Sequence, residues 1–114
     1  MTNNNIGGQP VSMKNIKECH ALCREFQIPL WFDGCRINEN AFFIKKYEKG
    51  YESLDVRDIL KEMFSYCDGL HISLKKVLCS MGGIMQVGEQ MIERFPGLNK
   101  LLKVRQISNY SNDS

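Results

Sequence analysis

No stretch of this 114-residue chain approaches the roughly 20 consecutive apolar residues that a membrane-spanning helix needs. Nor does it open with a basic region followed by an apolar run, since Met1 to Asn5 is polar. The expectation is a cytoplasmic protein without a membrane partner. Charge of one sign is scarce in excess as well. The 15 Lys and Arg against 13 Asp and Glu leave a formal net charge of +2, and acidic residues interleave with the lysines from Lys45 to Lys61. Lys100, Lys103 and Arg105 come nearest to a basic face, and they read as a solvated helix end. No nucleic-acid partner is therefore expected.

Close-set cysteine pairs of the kind that build zinc ribbons are also missing. Cys19, Cys23, Cys35, Cys67 and Cys79 are odd in number and fit reduced thiols of an intracellular protein. Cys19, His20 and Cys23 have helical spacing, but no second pair completes a tetrahedral set, so no metal is expected. Internal repeats and low-complexity blocks are lacking too. The length suits one small domain, which would bury about two-thirds of its unfolded surface.

What is present alternates helix and strand patterns. Ser12 is placed to cap a helix over 13–26, with Ile16, Cys19, Cys23 and Phe26 as its buried stripe. Pro29 opens the apolar run Leu30-Trp31-Phe32, which reads as a buried parallel strand ending at Asp33. A short helix is predicted over 39–47, broken by Gly50. Asp55 can cap a third helix, in which Val56, Ile59, Leu60, Met63 and Phe64 recur at i, i+3, i+4, i+7 and i+8. Leu70 to Leu74 reads as the next strand and Val77 to Met81 as another short one. Further on, Met91, Ile92, Phe95, Leu98, Leu101 and Leu102 form a helical stripe interrupted at Pro96-Gly97, ahead of a polar tail from Ser108 to Ser114.

This order predicts an α/β fold of βαβ units with a parallel sheet. Ligands of such sheets collect beyond the carboxyl ends of the strands. Asp33 stands at one such end, and Lys75-Lys76 follow another. Two adjacent lysines after an apolar strand, with Ser73 just before them, suit a pyridoxal phosphate site. One amine can condense with the cofactor aldehyde while the neighbouring cation and the hydroxyl hold the phosphate. On pattern alone, a Lys-Lys pair at a solvated turn is the commoner arrangement.

Several segments occur in a telling order: Gly7-Gly8-Gln9-Pro10-Val11-Ser12-Met13, Phe32-Asp33-Gly34-Cys35-Arg36, Glu39-Asn40-Ala41-Phe42-Phe43-Ile44-Lys45 and Glu62-Met63-Phe64-Ser65-Tyr66, followed by the lysine pair. Together they make the chain resemble the tryptophanase and tyrosine phenol-lyase family, from about Asn4 to Gly83. Members are pyridoxal-phosphate-dependent lyases that eliminate the β-substituent of an aromatic amino acid. The resemblance implies part of the large domain of the aspartate-aminotransferase-like (fold type I) architecture over residues 1–85. It leaves 86–114 as a divergent helical segment and tail.

The resemblance also implies roles. Lys76 is the residue that carries the cofactor, and Lys75 and Ser73 are its phosphate neighbours. Asp33 is the carboxylate beside the pyridine nitrogen. The alternative for Asp33 is a cap for the following helix. Arg36 and Asn4 match residues near the cofactor ring oxygen. Ser80 falls near a residue that helps hold a monovalent cation in the family. His71 has no matching role and reads as a core or surface histidine.

The family's subunits are several times longer, and their active sites are shared between subunits. A homo-oligomer or a full-length subunit is therefore the expected partner. Two positions depart from the pattern. Leu74 stands where the family has Gly or Ala, and Val77 stands where an Asp follows the lysines. The alternative to a lyase fragment is thus a non-catalytic truncated paralogue, which binds a full-length subunit or has no function.

Overall fold

The computed structural model describes residues 9–73 and 83–97. Helix α1 (Met13–Glu25) starts where Ser12 Oγ accepts the Asn15 N–H at 3.1 Å. Glu48 reaches across from elsewhere in the chain, and its two oxygens accept the N–H groups of Met13 at 2.7 Å and Lys14 at 2.9 Å. A carboxylate there satisfies donors that the helix itself cannot and complements the positive end of its dipole. The helix closes in a Schellman turn. Ile28 N–H bonds to Cys23 C=O at 2.8 Å and Gln27 N–H to Arg24 C=O at 3.2 Å, with Gln27 in the left-handed region at φ 54°.

Strand β1 (Trp31–Asp33) follows, then α2 (Ile37–Tyr47) and α3 (Val56–Ser65). Between the two helices Gly50 takes φ 95°, a conformation that glycine adopts without a Cβ penalty. Asp55 caps α3 as expected, its carboxylate accepting the Arg57 N–H at 2.9 Å. Strands β2 (Gly69–Ser73) and β3 (Gly83–Val87) and a short helix α4 (Glu89–Arg94) complete the described elements.

The sheet order is β1-β2-β3. β1 and β2 are parallel, with Trp31 opposite Gly69 and Asp33 opposite His71. β3 runs antiparallel to β2, so the wholly parallel sheet expected from the sequence is corrected to a small mixed one. A tight return can join antiparallel neighbours, whereas a parallel pair needs a crossover such as α2 and α3.

Phe32 and Leu70 point to one face of the sheet and join Met13, Ile16, Ile37, Ala41, Ile44, Ile59 and Met63 in a single core. Helices α1, α2 and α3 thus cover that face. Trp31, His71 and Met85 alternate to the other face and are exposed. The expectation that Leu30-Trp31-Phe32 is buried on both sides holds for Phe32 but not for Trp31. The α1 stripe is corrected as well: Ile16 is buried, Cys19 and Phe26 are exposed, and Cys23 is half-buried. The strand expected over Val77 to Met81, the tail and the stripe beyond Gly97 lie outside the described residues.

Two polar side chains hold this arrangement together. Asn40 is completely buried on α2, accepts the Val11 N–H at 2.7 Å and donates to the Val11 C=O at 2.9 Å. It thereby imitates a strand partner for the segment leading into α1. Asp68 is buried at the amino end of β2. Its carboxylate accepts the Leu30 N–H at 2.8 Å and the Arg24 guanidinium at 2.7 Å.

Candidate active site at the carboxyl edge of the parallel pair

Because β1 and β2 run in the same direction, they release the chain at the same edge of the sheet. Asp33 ends β1 and Ser73 ends β2, one register step beyond the Asp33–His71 pair. Arg36 stands three residues past Asp33, at the N-cap position of α2. The structure therefore gathers Asp33, Arg36 and Ser73 along one rim. Lys75, Lys76, Asn4 and Ser80 lie outside the described residues.

The Asp33 carboxylate is built in by the turn that follows it. Its Oδ1 accepts the Cys35 N–H at 3.3 Å, and the chain then closes through Gly34 C=O onto the Ile37 N–H at 3.1 Å. Asp33 is thus the first residue of an Asx turn rather than the cap of α2, whose N-cap is Arg36. Gly34 N–H donates to the His71 C=O at 2.8 Å and extends the parallel pairing past Asp33. About a third of the Asp33 side chain is exposed (38%), enough for a ligand to reach it.

Two residues that the sequence reading gave no role flank this carboxylate. His71 Nε2 lies 3.6 Å from Asp33 Oδ1, and the Trp31 indole N–H donates to His71 Nδ1 at 3.0 Å. The signal that could have exposed them is the period of two: Trp31 and Asp33 share a face of β1, as Gly69 and His71 share one of β2. The parallel pairing of two strands still had to be known before those faces could be joined.

Other ionisable clusters are structural. Lys17 bonds Glu62 at 2.8 Å and Tyr51 at 3.1 Å, tying α1 to α3. These bonds raise the Lys17 amine above its ordinary range. Burial pushes Glu62 upward, but its bonds to Lys17 and Tyr51 outweigh that and leave it lowered. Burial likewise pushes Asp68 upward, and the Leu30 N–H and Arg24 bonds reverse the shift. Among the described residues, no group of three His, Cys, Asp or Glu is placed to share a metal ion. No described helix is long and apolar enough to cross a membrane.

Among the described residues, two clefts lie away from the rim. One, of about 290 Å³, runs between Pro10, Val11, Phe43 and Tyr47. The other, of about 210 Å³, sits at the amino end of the strands beside Arg24, Pro29, Asp68 and Met91. Chemistry in parallel α/β sheets belongs at the opposite, carboxyl edge. In the second cleft, moreover, both Asp68 carboxylate oxygens already serve the fold. The donor set at the carboxyl edge is a carboxylate, a guanidinium and a hydroxyl. It fits a ligand that carries both a protonated ring nitrogen and a phosphate.

A sequence model of the β-eliminating lyase family matches residues 1–103. The chain is 50% identical over 84 residues to a tryptophanase of Salinibacter ruber, covering 73% of this chain and 18% of that protein. It is 47% identical over 93 residues to a tyrosine phenol-lyase of a Symbiobacterium species, covering 81% and 20% respectively. A probable β-eliminating lyase of Trichomonas vaginalis is 45% identical over 86 residues, 75% of this chain and 19% of that protein. The chain belongs to the β-eliminating lyase family. It spans about a fifth of the length of the curated relatives it matches.

Proposed function

We propose that this chain supplies the carboxylate-and-lysine wall of a pyridoxal-phosphate-dependent lyase that eliminates the β-substituent of tryptophan or tyrosine, within the large domain of a fold type I enzyme. The observation that carries this reading is the parallel β1–β2 pair. It brings Asp33 and Ser73 to one rim, and Lys75 and Lys76 follow Ser73 in the sequence. The bound cofactor supplies the electron sink that lets an amino acid lose its α-proton and then its β-substituent.

The chain's own residues do the rest. Asp33 holds a proton on the pyridine nitrogen by setting a negative charge beside it. Lys76 anchors the cofactor through its amine and carries the proton between the substrate α-carbon and the site. Lys75 and Ser73 bind the phosphate by charge and by hydroxyl donation. Arg36 and Asn4 would bind the cofactor near its ring oxygen. The full enzyme works in the cytoplasm as a homo-oligomer, and this chain alone performs no turnover.

A second reading, a non-catalytic paralogue that binds a full-length subunit, is favoured by Leu74 and Val77, the two departures beside the lysines. Cofactor labelling separates the two. Pyridoxal phosphate added to the purified chain should give a weak visible band. Borohydride reduction and peptide mass spectrometry should locate the cofactor on Lys76. Lys76→Ala should abolish the band and Lys46→Ala should keep it. A band that survives Lys76→Ala, or the absence of any labelled Lys76, overturns the lyase reading.

A further inference from the structure

We infer that Trp31 and His71 are positioning residues for Asp33: the indole fixes the imidazole tautomer, and the imidazole holds the carboxylate at the rim. The inference deepens the reading of Asp33 given above and rests on it for the nature of the ligand. The geometry is independent of that reading.

An indole N–H can only donate, so the His71 Nδ1 that accepts it at 3.0 Å carries no proton. The proton of neutral His71 is therefore on Nε2, the nitrogen that faces Asp33 Oδ1 at 3.6 Å. That distance is longer than a hydrogen bond and is closed by a small rotation of the carboxylate. The same Oδ1 already accepts the Cys35 N–H at 3.3 Å. Two N–H groups thus face one oxygen, the Cys35 N–H bonded to it and the His71 N–H just outside bonding distance.

The indole reaches His71 because it lies flat across β2 at Gly69. A Cβ on Gly69 would stand 2.2 Å from Trp31 Cζ3 and 2.6 Å from Cε3. No side chain can occupy position 69 while the ring lies there. Trp31 opposite Gly69 and Asp33 opposite His71 are successive same-face steps of one register. Glycine, indole, imidazole and carboxylate therefore form one line on the exposed face, ending at the carboxyl edge.

The other histidine is an internal control. His20 Nδ1 lies 2.8 Å from the Tyr66 C=O, which can only accept, so His20 is the Nδ1–H tautomer. Long-range ¹H–¹⁵N correlation on the cofactor-free 114-residue chain, at a pH where both rings are neutral, should show opposite tautomers at the two residues. Trp31→Phe should convert His71 into a tautomer mixture and leave His20 unchanged.

Titration with pyridoxal phosphate, followed by the Lys76-dependent visible band, should show about three- to tenfold weaker binding for Trp31→Phe and His71→Ala, the worth of one hydrogen bond. His71→Asn keeps an N–H donor and should lose less than His71→Ala. The inference is overturned by a mixed or Nδ1–H tautomer at wild-type His71. It is also overturned by a tautomer indifferent to Trp31→Phe, or by unchanged cofactor affinity in His71→Ala. The Nε2–H tautomer in a chain that gives no Lys76-dependent band would support the Trp31–His71 contact and sink the cofactor reading of Asp33.

Discussion

Asp68 and Leu30 bond to each other twice: the Leu30 N–H donates to the Asp68 carboxylate, and the Asp68 N–H donates to the Leu30 C=O, both at 2.8 Å. This ring sets β2 beside β1 one residue ahead of the Trp31–Gly69 pair and so fixes which residue faces Asp33. Its carboxylate also binds Arg24 of α1. Because Asp68 titrates below its ordinary value when folded, the stability it contributes is complete above about pH 4. That contribution drains away as pH falls through the lowered folded value. Asp68→Asn should flatten the acid limb of a stability–pH profile and cost about 1–3 kcal/mol at neutral pH in denaturant titrations.

Gly69→Ala should displace the only tryptophan from the sheet. The expected cost is about 1–3 kcal/mol, the range for overpacking. The measurement is intrinsic fluorescence, which reports Trp31 alone. Emission should shift to the red and become more accessible to a soluble quencher, while far-ultraviolet circular dichroism is retained.

Asn40→Ala should release the segment around Val11. The substitution removes two hydrogen bonds from a fully buried side chain, and about 2 kcal/mol of stability should go with them. Amide exchange at Val11 and at the first turn of α1 should accelerate more than exchange in α3. Uniform acceleration across the chain would mean that Asn40 supports the whole core rather than this anchor.

Glu62→Gln should loosen the junction of α1 with α3 only slightly. Lys17 and Glu62 are partly exposed, and screening limits such a pair to about 1 kcal/mol. The loss should shrink when salt is raised. Since Lys17 is raised in the folded chain, the pair's contribution in the unmutated protein is fully present at neutral pH. It should disappear only above the ordinary lysine range, near pH 10.

Lyase activity should require more chain than these 114 residues. No pyruvate should form from tryptophan or tyrosine with the chain and cofactor alone, assayed by lactate dehydrogenase coupling. Enzyme-like turnover would show that the described rim and its neighbouring residues form a complete site.

Local chemistry made much of the scaffold legible. Ser12 and Asp55 are caps because a short oxygen-bearing side chain can reach the free N–H groups of the next turn. The α3 stripe set its buried face, with Ile59 and Met63 fully enclosed, although Phe64 at its end is exposed. The ordered motifs around Asp33 and the lysines were sufficient to point to the family. Helix α2 begins at Ile37 rather than Glu39 because the Asp33 turn delivers the chain into helical bonding early.

Pairing and exposure were decided elsewhere. Leu30-Trp31-Phe32 has the same apolar pattern whichever face is covered, and only the position of the helices made Phe32 core and Trp31 surface. β3 escaped notice because Gly-Ile-Met-Gln-Val carries no clean alternation, and its antiparallel pairing with β2 exists only in the assembled sheet. The sequence put Asp33 forward as a candidate site residue, but not Trp31 and His71 beside it. Residue 71 is 38 positions further along the chain, and a register between two distant strands exists only once both have been laid on the same core. The sequence by itself determined the caps at Ser12 and Asp55, the buried face of α3 and the family. The tertiary structure decided which side chains meet, because contact across a sheet depends on pairing that no local pattern encodes.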